Sequence, residues 1–191
     1  PSAPLSGLVA ALEAVGLGWP QVSELVHGTT LVTNALVEGK TAPVALVTTL
    51  GFEDVLSIAR QSRHTLYDLA TLPRLPADVP PECCFGFDER VDAQGTVLKA
   101  PTAAEIERVA QAVKASGAGA VAVALLHAYA EPAHEAALGA RLRALMPHVS
   151  LSHEVSPEAR EYERTLTTVL NAGVMPLAST SVERLGGHVP D

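Results

Sequence analysis

The sequence predicts an α/β fold in which alternating strands and helices build a layered sheet. Two apolar runs, 44–48 and 120–126, have the length and composition of strands that are covered on both faces. Apolar residues recur at helical spacing in 102–114 and 133–145. The chain has 191 residues, which is enough to bury a core for one such unit.

The first sixty residues are predicted to contain three helices and two strands. A helix begins near Ser2 and ends at Gly16, because glycine favours a helix end. A short strand at 25–26 enters a threonine-rich turn, and the helix that follows the turn ends near Gly39. A short helix at 52–59 follows the first buried strand.

Residues 61–84 are the least regular part, because four prolines exclude an ordinary helix or a central strand there. This loop is either a lid or partner surface, or a plain surface connection. Residues 85–91 and 96–99 are predicted to pair as a hairpin. Thr102 and Glu105 then form a capping box that begins the next helix.

The last part of the chain is predicted to contain a strand at 149–152 and a long helix. This helix begins after Pro157, and Pro176 should kink or interrupt it. Arg164 and its charged neighbours crowd the first turns. Their default interpretation is a solvated face with weak ion pairs, although an interface or a site is the alternative.

Composition excludes several classes of protein. The net charge of −8 argues against non-specific binding of nucleic acids or of anionic membranes. Cys83 and Cys84 are the only cysteines, and their adjacency suits a reduced, cytoplasmic setting and not a zinc site. No apolar run is long enough to cross a membrane, and the first residues do not resemble a signal peptide. We therefore expect a cytoplasmic globular protein.

Polar side chains are concentrated in residues 27–36, where a predicted strand ends and a predicted helix begins. The N-terminus of a helix exposes N–H groups and favours an anion such as phosphate. Thr29, Thr30 and Thr33 would add hydroxyl donors to such a pocket. The alternative is that these residues only cap the helix.

Familiar catalytic patterns are absent from the sequence. It has no P-loop, no complete dinucleotide fingerprint and no nucleophile elbow around a serine. His134 and His153 are each followed by glutamate, but neither has the second histidine of a zinc protease helix. His134 is expected to help cap its helix, and His127, at a strand end, is expected to have a structural role. A self-contained hydrolase, dehydrogenase or P-loop enzyme is not expected.

Several blocks, taken in order, resemble the N-terminal region of the hydantoinase A / 5-oxoprolinase family. Residues 27–36 are similar to its HGTT-x-x-TNA signature, and residues 44–56 to a VALVTT-x-GF-x-DVL block. Further similar blocks are 60–61, 66–69, 88–95, 126–129, 132–135, 152–158, 160–165 and 168–172. The likeness covers roughly residues 5 to 185.

The resemblance implies an ATP-dependent enzyme that opens cyclic amides such as hydantoin, N-methylhydantoin or 5-oxoproline. ATP with Mg²⁺ would phosphorylate the carbonyl oxygen, and a hydantoinase B-type subunit or domain would complete the reaction. The larger fold would be an actin-like, sugar-kinase-like ATPase fold. The alternatives are a subunit of an acetone or acetophenone carboxylase and a non-catalytic docking module. A homo-oligomer is a further option.

The same resemblance implies the site residues. The phosphate or substrate pocket would include Gly28, Thr29, Thr30, Thr33 and Asn34. Catalytic candidates are His27, Arg60 and Gln61, and no metal ligand is expected in the chain. A guanidinium at Arg60 could clamp a carboxylate or phosphate, or it could only complement the dipole at a helix end.

The chain also departs from the family pattern. Nothing in it matches the DxGGTFTD phosphate hairpin with which the family opens, and Asp191 precedes the large ATPase domain. We therefore expect residues 1–191 to be a single α/β unit, the middle and end of the N-terminal region. Such a fragment should be inactive alone and should bind no cofactor tightly.

Overall fold

The computed structural model describes residues 3–18, 21–24, 26–60 and 79–186. In chain order, the α-helices are α1 (Ala3–Ala14), α2 (Leu31–Val37), α3 (Val55–Ile58), α4 (Ala103–Ala115), α5 (Ala133–Arg143), α6 (Ser152–Val155) and α7 (Glu161–Gly186). A 3-10 helix spans Pro81–Cys83. The strands are β1 (Val44–Thr49), β2 (Cys84–Phe87), β3 (Arg90–Val91), β4 (Val97–Lys99), β5 (Ala120–Ala124) and β6 (Val149–Leu151).

The main sheet has four strands in the order β2-β1-β5-β6, and every pairing in it is parallel. The central strands β1 and β5 are buried along almost their whole length. Parallel strands in the middle of a sheet are covered by helices on both faces, which explains why these two runs are apolar throughout. The predicted α/β class and both predicted strands are confirmed.

One face of the sheet packs against α4 and α5. Alternate residues of the strands supply this apolar cluster, as the two-residue period of a strand requires. The helices contribute the fully buried side chains of Val109, Val113, Leu138 and Leu142. The helically spaced apolar residues of 102–114 thus form the buried face of α4.

The opposite face packs against α7. On this face β5 presents only Ala120, Ala122 and Ala124, and α7 presents Val169 and Ala172. Small side chains on the strand allow the helix to lie close, so α7 runs along β5. The result is a three-layer arrangement with the sheet in the middle.

The predicted hairpin is only partly correct. Strands β3 and β4 pair as an antiparallel hairpin, and the Asp92 carboxylate in its turn accepts the N–H groups of Gln94 and Thr96 at 2.9 and 2.8 Å. Residues 84–87, however, form β2, which pairs in parallel with β1. The side-chain pattern of residues 85–91 does not reveal this switch, because both kinds of pairing alternate side chains in the same way.

Helix α4 begins as predicted, but Glu105 has a different partner. The Thr102 hydroxyl accepts from the Glu105 N–H at 3.1 Å, which caps the helix. The Glu105 carboxylate does not return a bond to Thr102 and instead accepts from the Asp88 N–H at 3.0 Å. Arg108 donates to Glu105 and to the Gly86 carbonyl, so side chains of α4 cover part of the outer edge of β2.

The C-terminal elements differ from prediction mainly in where they begin and end. The predicted strand at 149–152 stops at Leu151, because Ser152 begins the short helix α6. Helix α7 begins at Glu161, and it is not interrupted at Pro176. Although α7 is the longest described helix, none of the helices in the described ranges is long and apolar enough to span a membrane.

The packing around Gly139 in α5 leaves no room for even a methyl group. A Cβ there would lie 2.6 and 2.9 Å from the two methyl carbons of Leu151, which is fully buried. We expect Gly139→Ala to lower the free energy of unfolding by about 1–3 kcal/mol from overpacking, partly offset by the helix propensity of alanine. Urea denaturation measures the loss. The matched control is Gly7→Ala in α1, where a Cβ would meet nothing within 4 Å. Equal losses in both variants would contradict the packing argument.

Candidate functional site

The carboxyl ends of β1, β5 and β6 lie along one edge of the parallel sheet, which we call the carboxyl edge. Open α/β sheets bind their ligands at this edge. Thr49 ends β1, His127 follows β5, and Ser152 and His153 follow β6. Two buried glutamates connect these positions by hydrogen bonds.

Glu135 of α5 is the central acceptor of the carboxyl edge. Its Oε1 accepts from the Leu125 N–H at 2.9 Å and from the Ser152 hydroxyl at 2.7 Å. Its Oε2 accepts from the His153 backbone N–H at 2.9 Å and lies 2.5 Å from His153 Nδ1. The side chain is fully buried, so these donors replace the water that a carboxylate loses on burial. They also tie α5 to the ends of β5 and β6.

His153 is held through one ring nitrogen and leaves the other without a partner. Because a carboxylate only accepts, Nδ1 carries the proton, and Nε2 has no hydrogen-bond partner among the described residues. The hydrogen bond to Glu135 raises the pKa of His153 above its usual 6.5, against the opposing effect of burial. The charges of Glu135 and Glu154 add to the rise, and Arg143 opposes it. About 19% of the side chain is exposed.

A second buried pair involves the preceding residue of α5. His134 Nδ1 lies 2.7 Å from Glu89 Oε2, and Glu89 Oε1 accepts from the Thr49 hydroxyl. Thr49 in turn accepts from the Leu126 N–H at 2.9 Å. The prediction that His134 caps α5 is wrong, because Pro132 holds the N-cap position and the imidazole is occupied by Glu89.

Arg164 reaches the carboxyl edge from α7. The predicted solvated face is wrong for this residue, since it is only 1% exposed. Its guanidinium donates to the carbonyls of Leu125 and Glu158, both at 2.8 Å, and lies 5.5 Å from the centre of the Tyr129 ring. Burial lowers the pKa of Arg164 from its usual value, and the charge of Glu135 opposes that shift. Arg164 therefore joins the start of α7 to the end of β5.

His127 has a structural role, as the sequence favours. Its backbone lies in the left-handed region, with φ of 58°. Its Nδ1 is 3.3 Å from the Tyr129 hydroxyl, and the two rings meet edge to face. The His127 carbonyl also accepts from the Ala130 N–H at 2.8 Å, so the residue closes the turn after β5.

The threonine-rich turn lacks the strand predicted before it. Residues 26–30 have irregular backbone and Val26 is 86% exposed, while Leu25 lies outside the described residues. The predicted strand is wrong at Val26, because a strand needs a neighbour to pair its N–H and C=O groups and none lies beside this segment among the described strands. The helix predicted after the turn is confirmed as α2, which ends just before Gly39.

The predicted phosphate and substrate groups of the turn are exposed. These residues are Gly28, Thr29, Thr30, Thr33 and Asn34, and the catalytic candidate His27 beside them is exposed as well. Thr30 holds the N-cap position of α2 but makes no side-chain capping bond, whereas the Thr29 hydroxyl accepts from the Leu31 N–H at 3.2 Å. In the part of the chain that the structure describes, the hydroxyls of Thr30 and Thr33 have no hydrogen-bond partner. The capping alternative is thus not realised by Thr30.

Arg60 lies apart from the turn. Its guanidinium pairs with Glu163 of α7, and the structure gives it no hydrogen bond or ion pair to described residues of the turn. Arg60 therefore joins the end of α3 to the start of α7. The other catalytic candidate beside it, Gln61, lies outside the described residues.

Sequence reasoning did not assign Glu89 or Glu135 to a site and gave Arg164 a site only as the alternative, although Glu135 and Arg164 carry a detectable signal. Glu135 lies three residues before Leu138 on the buried stripe of α5, and Arg164 lies eight residues before Ala172 on the buried stripe of α7. A charged residue on an apolar stripe predicts a buried partner. Glu89 carries no such signal, because it lies in an irregular segment after β2.

A cleft of about 320 Å³ opens at the opposite, amino-terminal edge of the sheet. Its lining includes Thr41, Val79, Cys83, Gly117, Val169 and Gly173. Burial raises the pKa of the neighbouring Cys84 to about 11, so this thiol is not activated at neutral pH. Because no charged side chain is among the described residues of this lining, the carboxyl edge and the turn remain the candidate sites.

Comparisons with known proteins agree with the sequence pattern. Residues 1–146 match the family described as Hydantoinase/oxoprolinase N-terminal region. An uncharacterized protein of Methanocaldococcus jannaschii is 35% identical over 94% of this chain and 27% of its own length. The caprolactamase subunit alpha of Pseudomonas jessenii is 33% identical over 84% of this chain and 23% of its own length. The 5-oxoprolinase of Saccharomyces cerevisiae is 30% identical over 93% of this chain and 16% of its own length. The chain thus spans about a quarter or less of these relatives.

Solved structures show the same fold. The crystal structure of ATP-dependent caprolactamase from Pseudomonas jessenii superposes with a TM-score of 0.78 at 29% identity, over 95% of this chain and 27% of that chain. Nucleotide-free acetone carboxylase superposes with a TM-score of 0.77 at 23% identity, over 97% of this chain and 29% of that chain. This second similarity is one of fold alone. Both have actin-like ATPase-type folds, which confirms the predicted fold.

The Glu135–His153 pair predicts a pH dependence of stability. Because the pKa of His153 is raised in the folded state, its protonation stabilises the fold. This contribution is complete below the usual value of 6.5 and is lost as pH rises through the higher folded-state pKa. We expect the midpoint of urea unfolding to fall across that window in the wild type, and to fall less in His153→Asn. The control is His148→Asn, and equal pH slopes in all three proteins would contradict the assignment.

Proposed function

The chain belongs to the hydantoinase/oxoprolinase family, and we propose that it is a segment of an ATP-dependent hydrolase that opens cyclic amides. The observation that carries the proposal is the match over residues 1–146, together with relatives at 33% and 30% identity whose names specify caprolactam and 5-oxoproline. Both of these compounds are lactams. The proposed substrates are lactams, hydantoins and related cyclic imides.

The proposed chemistry overcomes the low reactivity of an amide towards water. An amide carbon resists attack by water because the nitrogen lone pair is delocalised into the carbonyl group. Transfer of the γ-phosphoryl group of ATP to the carbonyl oxygen withdraws those electrons and makes the carbon electrophilic. Mg²⁺, entering with the nucleotide and held by its phosphates, would neutralise charge during the transfer.

We propose that the exposed turn supplies part of the phosphate or substrate pocket. The residues concerned are Gly28, Thr29, Thr30, Thr33 and Asn34. Support comes from the hydroxyls of Thr30 and Thr33, which have no partner among the described residues, and from the open space beside Gly28, where a Cβ would meet nothing within 4 Å. A phosphate can therefore approach both the hydroxyls and the backbone N–H groups of the turn. The described residues contain no group of three side chains placed to hold a metal ion.

His27, Arg60 and Gln61 are proposed as secondary contributors. His27 adjoins the turn and is exposed, so it can reach a ligand bound there. Arg60 is also exposed, but it would have to exchange its ion pair with Glu163 for a ligand anion. The free-energy cost of such an exchange is small, because exposed ion pairs contribute only about 0–1 kcal/mol to stability.

A second subunit or domain is proposed to complete the reaction. Support comes from the name of the caprolactamase relative, which is a subunit alpha, and from the length of the relatives, of which this chain spans only a part. A hydantoinase B-type protein is the proposed partner. The remaining alternatives are a carboxylase subunit and a docking module without chemistry, and the assay below separates them.

Alanine at Thr29 and Thr30 is expected to weaken phosphate binding in the complete protein. We expect the double variant to lower ATP affinity and turnover, with a loss of about 0.5–1.5 kcal/mol for each hydrogen bond removed. ATP titration with ADP release as the readout measures the effect. Thr167→Ala, at an exposed threonine of α7, is the matched control and should behave as the wild type. Unchanged kinetics in the double variant would exclude these hydroxyls from the pocket.

ATPase activity is expected only in the complete protein. ADP release would be measured for this chain and for the complete protein, which would include the DxGGTFTD phosphate hairpin and the ATPase domain. The substrates would be caprolactam, 5-oxoproline and hydantoin, each with and without bicarbonate. We expect stimulation of the complete protein by a cyclic amide, independent of bicarbonate. A bicarbonate requirement with a ketone substrate would favour the carboxylase subunit, and inactivity with every substrate would favour the docking module. ATPase activity in the short chain would contradict the fragment interpretation.

A further inference from the structure

The Glu135–His153 pair has the geometry of a proton-transfer pair. The carboxylate is bonded at both oxygens by donors from the residues that directly follow β5 and β6, so it cannot rotate away from the imidazole. Its Oε2 holds His153 Nδ1 at 2.5 Å, which sets the tautomer. The opposite nitrogen, Nε2, is the basic atom and has no partner among the described residues.

The location of the pair suits a reaction at the carboxyl edge. His153 directly follows Ser152 at the end of β6, the place where open α/β sheets expose reactive groups. About 19% of its side chain is exposed, whereas Glu135 is completely buried. A ligand can therefore reach the ring but not the carboxylate.

The Glu89–His134 pair provides an internal comparison. Its imidazole is only 10% exposed, and the second oxygen of Glu89 is taken by the Thr49 hydroxyl. This pair therefore holds α5 against the end of β1 and the segment after β2. Burial distinguishes it from the Glu135–His153 pair, although the two pairs share the same chemistry and adjoin in sequence.

We infer that His153 is the proton-transfer group of ring opening and that Glu135 is its positioning residue, an inference that rests on the proposed function. Water bonds to the carbon of the phosphorylated amide, one of its protons passes to Nε2, and the C=N electron pair moves onto nitrogen. The hydroxyl then reforms C=O as the C–N bond breaks, with the electron pair leaving on nitrogen. Nitrogen keeps the hydrogen of the amide and receives the proton from Nε2 and the proton of the hydroxyl, so an acyl phosphate and an ammonium group result. Hydrolysis of the acyl phosphate is left to the second subunit or domain. His153 returns to its starting state.

Three charged groups determine the ionisation of His153. Glu135 of α5 and Glu154 of α6 favour the imidazolium, and Arg143 of α5 opposes it. Arg164 of α7 faces Glu135 from the other side. Because neutral Nε2 is needed to accept the first proton, kcat should rise with pH through an apparent pKa above 6.5.

His153→Asn in the complete protein is the decisive variant. The asparagine amide nitrogen lies near the position of Nδ1, so it can still donate to Glu135, while the atom corresponding to Nε2 is removed. We expect kcat for ring opening to fall about 100- to 10,000-fold, with little change in KM, and the rising pH limb to disappear. His148→Asn, at a histidine outside the pair, should retain both kcat and the limb.

Glu135→Gln tests the positioning role separately. The glutamine carbonyl can keep the bonds of Oε1 to Leu125 and Ser152, but its amide group would face the His153 ring as a donor. We expect the ring to change to the tautomer with the proton on Nε2, observable by ¹⁵N NMR of the histidines in this chain, and kcat to fall. A merely structural role predicts the same change of tautomer without a loss of kcat.

The outcomes separate the two proposals. Ring opening by the wild type with an unaltered kcat and pH profile in a folded His153→Asn would overturn the role of His153 alone. If His153→Asn does not fold, an unchanged tautomer and an unchanged kcat in Glu135→Gln would overturn the pair. Failure of the wild-type complete protein to open any cyclic amide would overturn the proposed function and this step together.

Discussion

The buried carboxylate of Glu135 is the constraint on which the carboxyl edge depends. A carboxylate without water must be surrounded by donors, and here they come from the ends of two different strands. The bonds require α5 to lie close to β5 and β6. Gly139, one helical turn after Glu135, permits this approach, because no Cβ separates the helix from Leu151. Sheet packing and site geometry are therefore parts of one arrangement.

The end of β5 is held from both faces of the sheet. The Leu125 N–H donates to Glu135, and its carbonyl accepts from Arg164. The guanidinium has a cost, because its Nε and the adjacent Thr165 hydroxyl are buried without partners among the described residues. A group of that kind costs roughly 1–3 kcal/mol. The bonds to two carbonyls and the contact with Tyr129 offset it, so the polar start of α7 joins a layer that is otherwise apolar.

The two candidate regions differ in their physical state. Residues 27–30, Thr33 and Asn34 are exposed, and the hydroxyls of Thr30 and Thr33 have no partner in the described part of the chain, which suits contact with a ligand. The carboxyl edge is mostly buried and internally bonded, which suits the precise positioning of a few atoms. His153 combines both properties, since its ring is fixed at Nδ1 and its side chain is partly exposed. The caprolactamase and 5-oxoprolinase relatives are several times longer than this chain.

Local patterns were sufficient to predict the fold class, strands β1 and β5 and the helices with a regular apolar stripe. Apolar periodicity reports burial directly, and the ordered family blocks identified the family. Periodicity could not predict that residues 84–87 join the main sheet, because side chains alternate alike in parallel and antiparallel strands. Nor could it pair Glu135 with His153 or Arg164 with Leu125, residues 18 and 39 positions apart. Such pairs form only when parallel strands bring their carboxyl ends to one edge, so their chemistry is a property of the tertiary structure.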